Sequence, residues 1–169
     1  LIEDLDPYFV EDLVRSENPG VYRQLRPRVK VPIAVGEQFG DRWDINEMIE
    51  ERLIDYSRVS LPNAGGITEF MKIAALCETH YVGLVPHFTG PIATAALVHA
   101  CNVFPGPVLM EMLGGRNQKL PHLPVSYDFR EGKLWPSERP GLGVEVDTAN
   151  LKLVAEVAEK VEGAPLNRR

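Results

Sequence analysis

Short apolar runs alternate with longer amphipathic stretches over the first two thirds of the chain. Runs of roughly four to eight apolar residues bounded by Pro or Gly predict buried strands, and apolar positions recurring every three or four residues predict helices with one inward face. Strands are expected at Tyr8–Leu13, Pro32–Glu37, Asp55–Leu61, Tyr81–His87 and Pro107–Met112. Between them, a helix over about Val21–Arg28 follows an Asn18 cap and Pro19 and turns Val21, Leu25 and Val29 to one side. A second helix, capped by Asp44 and reaching Glu51, turns Ile45, Met48, Ile49 and Leu53 inward. A third covers Ile67–His80, with Ile67, Phe70, Met71, Ala74, Ala75 and Cys77 as its apolar face, and an Ala-rich fourth covers Pro91 to about Val103. Strand, loop and helix recur about every 25 residues, the spacing of successive βα units in a parallel sheet.

From Gly114 that periodicity stops. Residues 115–137 are rich in Pro, Gly and charge and predict an extended loop. Arg139–Asp147 predicts a turn and a short extended piece, and Thr148–Val161 a last amphipathic helix before a frayed tail. The chain therefore divides into a βα part, residues 1–113, and a C-terminal extension, residues 114–169.

Polar residues mark the strand ends: Glu11, Glu37, Ser60, His87 and Glu111. An open doubly wound sheet usually carries a glycine fingerprint after its first strand. Here the Gly65-Gly66 pair follows the third strand and lacks that spacing, whereas polar groups at several strand ends are how a TIM-type barrel builds its site. The pattern favours the barrel. Two carboxylates in neighbouring units, Glu11 and Glu37, would repel each other at the mouth unless a cation lay between them, and hard oxygen ligands suit magnesium. The competing reading is that each caps a helix or pairs with an arginine. His87 is placed to move a proton near neutral pH, against the alternative of a buried imidazole bonded to backbone. His80, His99 and His122 fall in helix or loop positions without such a setting. Glu111 lies in an apolar strand and must be paired or protonated; if protonated, it could donate a hydrogen bond to a developing oxyanion.

Composition narrows the partners. A formal charge of −6 with no basic block argues against nucleic acid. No apolar run approaches the roughly 20 residues of a membrane span, and the N-terminus lacks the form of a signal peptide. Cys77 and Cys101 fall in apolar helical patterns without metal-ligand spacing, which favours two buried thiols in a reducing cytoplasm over a disulfide between them. The chain starts at Leu1, with no sign of a natural N-terminus.

Four segments in this order, Val31-Pro-Ile-Ala-Val-Gly-Glu37, Ala64-Gly-Gly-Ile-Thr-Glu69, Pro86-His87 with Gly90-Pro91, and Pro140-Gly-Leu-Gly-Val144, resemble the enolase superfamily. Within it they are similar to the mandelate racemase/muconate lactonizing enzyme branch, most of all to acid-sugar dehydratases of the galactonate dehydratase type. The resemblance implies an α/β fold, the C-terminal part of a (β/α)7β barrel with about five strands visible, followed by the extension and its helix. It implies Mg2+ as cofactor, Glu11 and Glu37 as the second and third of three carboxylate ligands, His87 as the histidine of the acid/base pair, and Glu111 as the acid that bonds the enediolate. The expected reaction is dehydration of a sugar acid: loss of the proton alpha to a carboxylate, then elimination of the beta hydroxyl. A homo-oligomer is expected at full length.

Three features depart from the family pattern. Ser60 stands where many members have an aspartate that orients the histidine, which disfavours a two-base racemase or epimerase; a serine there could still hold the imidazole, and Arg58 would point the same way as Ser60. Leu13 stands where many members have Pro. The first metal ligand, any lysine base and the capping domain would precede Leu1, so the chain is expected to be part of a longer enzyme, the alternative being an inactive truncated fragment with an open sheet edge.

Overall fold

Four segments that are apolar and flanked by Pro, Gly or charge pair as short parallel strands in chain order: β1 (Val10–Glu11), β2 (Ile33–Val35), β3 (Tyr56–Ser57) and β4 (Gly83–Leu84). The computed structural model describes residues 2–112 and 127–158. Every strand sits beside its predecessor with no reversal of order. That is the winding of a barrel sector, and it leaves no switch point of the kind an open doubly wound sheet requires. A parallel bridge between Leu84 and Val108 adds the next segment beyond β4, held by the Leu84 N–H on the Pro107 carbonyl and the Leu109 N–H on that of Leu84. The expected fifth strand is thus one bridge wide.

The ladders are shorter than the apolar runs that predicted them, so the polar residues lie beyond the paired region. Glu11 pairs with Ala34, Ala34 with Tyr56 and Tyr56 with Gly83. In that register Ser60 and His87 lie level with each other, Glu37 one residue short of them, and Glu11 within the ladder. Gly36 joins β2 to Glu37 with φ +147°, and a Cβ there would stand 2.8 Å from the Val59 nitrogen and 3.0 Å from the Arg58 backbone. Only glycine lets these two chains approach so closely.

The helices α1 (Pro19–Leu25), α2 (Arg42–Glu50), α3 (Ile67–Thr79) and α4 (Pro91–Asn102) cover the sheet. Asn18 caps α1 as expected, its side chain accepting the Gly20 N–H, and Pro27 then tightens the chain into a 3-10 turn over Arg26–Arg28. The fully buried residue of α1 is Tyr22, whose hydroxyl donates to the Val14 carbonyl at 2.7 Å, while Val21 and Leu25 are only half-buried. Asp41, not Asp44, caps α2: it accepts the N–H groups of Trp43 and Asp44. Asp44 instead accepts the N–H of Gly40, the residue before the cap, at 2.9 Å and so fixes the chain where it enters the helix. Ile45, Met48, Ile49 and Leu53 are buried as predicted. On α3, Ile73 is buried, while Ile67 and Ala75 are exposed. Phe70, Ile73, Ala74 and Cys77 of α3 and Ala96, Leu97, Ala100 and Cys101 of α4 share one core with Ile33, Val35 and Leu84 of the strands. Both cysteines are free, and burial pushes each thiol up to about 12.

The extension differs from its prediction in two places. Within the segment expected as loop, β5 (Asp128–Arg130) and β6 (Lys133–Trp135) form an antiparallel hairpin. Glu131 (φ +53°) and Gly132 (φ +75°) supply the two positive-φ residues that a tight hairpin turn needs, and the Arg130 guanidinium lies 4.7 Å from the Trp135 ring centre. The expected turn after Arg139 is present, with the Gly143 N–H on the Pro140 carbonyl. The helix expected over Thr148–Val161 does not form in its described part: a 3-10 turn covers Thr148–Asn150, and residues 151–158 have no regular structure. Leu153, Val154 and Val157 are 76–91% exposed, so the apolar stripe has nothing to pack on, and packing rather than propensity holds most helices of this length. His122 and residues 159–169 lie outside the described residues.

Candidate active site

The strand ends converge on one buried guanidinium. Arg58, one residue past β3, is only 4% exposed and lies between two carboxylates from different strands. Its Nε is 2.5 Å from Glu11 Oε1, off the N–H axis, so this contact is one of charge without an aligned hydrogen bond. Its Nη2 donates to Glu111 Oε2 at 3.1 Å, and its Nη1 to the Val85 carbonyl at 3.4 Å. A second contact joins the remaining residues: His87 Nε2 stands 3.1 Å from Glu37 Oε2. The Glu11–Arg58–Glu111 chain uses the first, third and fifth strand segments, and the Glu37–His87 pair the second and fourth. Alternate strands of a barrel supply alternate layers of inward side chains, and the two contact sets follow that division.

Each predicted site residue can now be placed. Glu11, Glu37, His87 and Glu111 come to the same mouth. The reading of Glu11 as an arginine partner is realised, and His87 pairs with a carboxylate rather than with backbone. Glu111 is the paired acid, not the protonated one. Burial alone would raise its pKa, but the Phe88 N–H at 2.8 Å, the charge and hydrogen bond of Arg58 and the charge of His87 outweigh it and hold the carboxyl below its ordinary value. It accepts the hydrogen bonds of Arg58 and of the Phe88 N–H. Ser60 is fully buried and its hydroxyl has no partner. It does not hold the imidazole, because His87 turns instead to the full charge of Glu37.

Two site groups went unassigned from the sequence. For Arg58 the sequence offers its shared direction with Ser60 and a partial replacement for the missing aspartate's charge interaction; an arginine in a strand pattern carries no sign that it will be buried. Asp12 follows Glu11 with φ +43°, and its Oδ1 is buried without a partner. Burial, then the charges of Glu11 and Glu37, raise its pKa, and the opposing charge of Arg58 does not cancel them. A carboxyl whose folded pKa is raised contributes stability below pH 3.8, its value when unperturbed, and loses it as the pH rises through the folded value. Asp12→Asn is therefore expected to stabilise the cation-free protein at neutral pH. That gain should vanish below pH 3.8, as read by urea unfolding at both pH values. Equal gains at the two would disprove the assignment.

The mouth is thus short of positive charge: Glu11, Asp12, Glu37 and Glu111 face Arg58 and His87. Glu11 and Glu37 fit a magnesium ion as part of its shell, being hard anionic oxygens, 34% and 36% exposed, beside an orphaned buried carboxyl oxygen. Among the described residues no three His, Cys, Asp or Glu side chains form a complete ligand group.

A barrel sector with carboxylates, a histidine and a buried arginine at the strand ends defines a class of enzyme domain. The family model described as enolase C-terminal domain-like matches residues 1–150. The chain belongs to that family, in the enolase superfamily, on its mandelate racemase/muconate lactonizing enzyme branch. It is 37% identical to a D-mannonate dehydratase of Caulobacter sp. (strain K31), over 98% of this chain and 42% of that protein. It is 36% identical to a D-galactonate dehydratase family member of Streptomyces bingchenggensis, over 99% of this chain and 41% of that one. Among solved structures it resembles an enolase from Pantoea ananatis with bound D-gluconate and Mg, at TM-score 0.79 and 29% identity, over 88% of this chain and 36% of the other. The chain thus spans about two fifths of the length of the dehydratases it matches. Among the described residues no helix is long and apolar enough to cross a membrane.

Proposed function

We propose that the chain is the catalytic barrel part of a magnesium-dependent sugar-acid dehydratase. The observation that carries this is the 3.1 Å contact of His87 with Glu37, which puts a proton-carrying group against a candidate metal ligand at the barrel mouth. Glu11 and Glu37 would hold the ion, which when bound supplies Lewis-acid polarisation of the substrate carboxylate. His87 delivers a proton to the departing beta hydroxyl as the alpha proton is lost; water leaves, and the resulting enol ketonises to a 2-keto-3-deoxy acid. Glu111, held ionised, anchors Arg58 and so keeps a fixed positive charge in the mouth. None of the described residues is assigned as the acceptor of the alpha proton.

Elimination is favoured over racemisation because the Ser60 hydroxyl neither carries charge nor reaches His87. The division at residues 113/114, a cytoplasmic location and self-association at full length belong to the same reading; the buried free thiols support a reducing compartment. The test is to incubate the full-length protein with a panel of sugar acids, including D-mannonate, D-galactonate and D-gluconate, with Mg2+ and with a chelator. Release of a 2-keto-3-deoxy acid from at least one, abolished by the chelator, is expected. Dehydration that survives chelation would remove the metal from the mechanism, and no dehydration of any member would remove the activity.

A further inference from the structure

The three contacts of Arg58 are unequal. The guanidinium donates hydrogen bonds to Glu111 and to the Val85 carbonyl, whereas Glu11 faces Nε at 2.5 Å without an aligned N–H. At 4% exposure the guanidinium cannot exchange a carboxylate for bulk water, and a buried cation that loses one partner must keep another. Glu11 and Glu111 are each about one-third exposed and can be approached from the mouth.

We propose that Arg58 is a displaceable counter-cation for Glu11, and that Glu111 retains the guanidinium when a divalent cation takes Glu11. This rests on the reading that Glu11 and Glu37 hold that cation. Arg58 and Glu111 are then positioning residues that set cation affinity, although neither touches the ion. Without a cation Arg58 offsets part of the carboxylate charge, so Glu11 stays folded inward rather than being driven off by Asp12 and Glu37. When the cation arrives, a contact of charge alone is given up while two hydrogen bonds are kept.

Coupling through Arg58 is distinguishable from mere proximity of charge. Glu111→Gln should weaken cation binding, because the guanidinium loses its alternative carboxylate and stays on Glu11. That loss should require the arginine. The measurement is Mn2+ affinity of the full-length protein, read from the free-ion electron paramagnetic resonance signal without turnover. E111Q is expected to weaken binding at least tenfold, while R58M/E111Q matches R58M within about threefold, the coupling that a double-mutant cycle isolates. If R58M does not fold, R58K supplies the second background: its ammonium cannot hold two carboxylates in a planar fork, so the E111Q loss should shrink there. An E111Q protein with wild-type affinity, or an equal loss in both backgrounds, overturns the proposal while leaving the cation site standing. A wild-type protein that binds no Mn2+ overturns the cation reading and this inference together.

Discussion

Replacing His87 by Asn is expected to lower kcat of the full-length enzyme by about 10²- to 10⁴-fold, the range that a positioned general acid supplies. The change should fall on kcat far more than on KM, since the imidazole acts on the departing hydroxyl rather than on the polar groups that fix the substrate. Stability should barely move. The His87–Glu37 contact is about one-third exposed on both sides, and exposed pairs of this kind contribute little to folding. Steady-state kinetics on the best substrate of the panel, together with a urea titration, separate the two effects. A loss below about tenfold in kcat would take His87 out of the proton path. A large loss of stability with intact kcat per folded molecule would make it a structural residue.

The second large effect is on folding. Gly36→Ala should destabilise the protein by about 3 kcal/mol or more, combining an unfavourable positive φ with overpacking against main chain. The atoms that a Cβ would meet are the Val59 nitrogen at 2.8 Å and Arg58 backbone atoms at 3.0 Å, so no side chain can swing aside to relieve the clash. Because Glu37 follows Gly36 and Arg58 lies on the other side of the contact, metal affinity should fall even in the fraction that folds. Chemical denaturation measures the first effect and Mn2+ binding the second. A variant within about 0.5 kcal/mol of the wild type would show that the strands can separate at little cost and that the close approach does not require glycine.

The sequence was most readable where several signals coincided. Val31 to Val35 is apolar throughout and bounded by Gly36, and Ile33, Ala34 and Val35 are buried completely in β2. The recurrence of βα units conveyed the parallel order, because each unit can bury its strand only by lying beside the last. Glu37 and His87 were identifiable because a charged residue after an apolar run has no packing role. Other features depend on contacts that sequence does not encode locally. Asp41 and Asp44 are both competent caps three residues apart, and which one serves is set by where the loop delivers the chain. The apolar period after Thr148 is real, but helical order needs a surface to cover, and Leu153, Val154 and Val157 have none. Arg58 is the clearest case. Its burial follows from two glutamates 47 residues before and 53 residues after it, a relation that exists only once the strands are assembled.

The division of contacts between odd and even strands bears on how such a domain can change over generations. Glu37 and His87 touch each other, and Glu11 and Glu111 each touch Arg58, with no hydrogen bond or ion pair crossing between the sets among the described residues. Substitutions at His87 can therefore alter how protons are delivered while the triad keeps the buried Arg58 paired and the mouth folded. New chemistry can arise by drift at His87 while the triad holds the strand ends together, so that a lineage can pass through weakly active intermediates without first losing its fold.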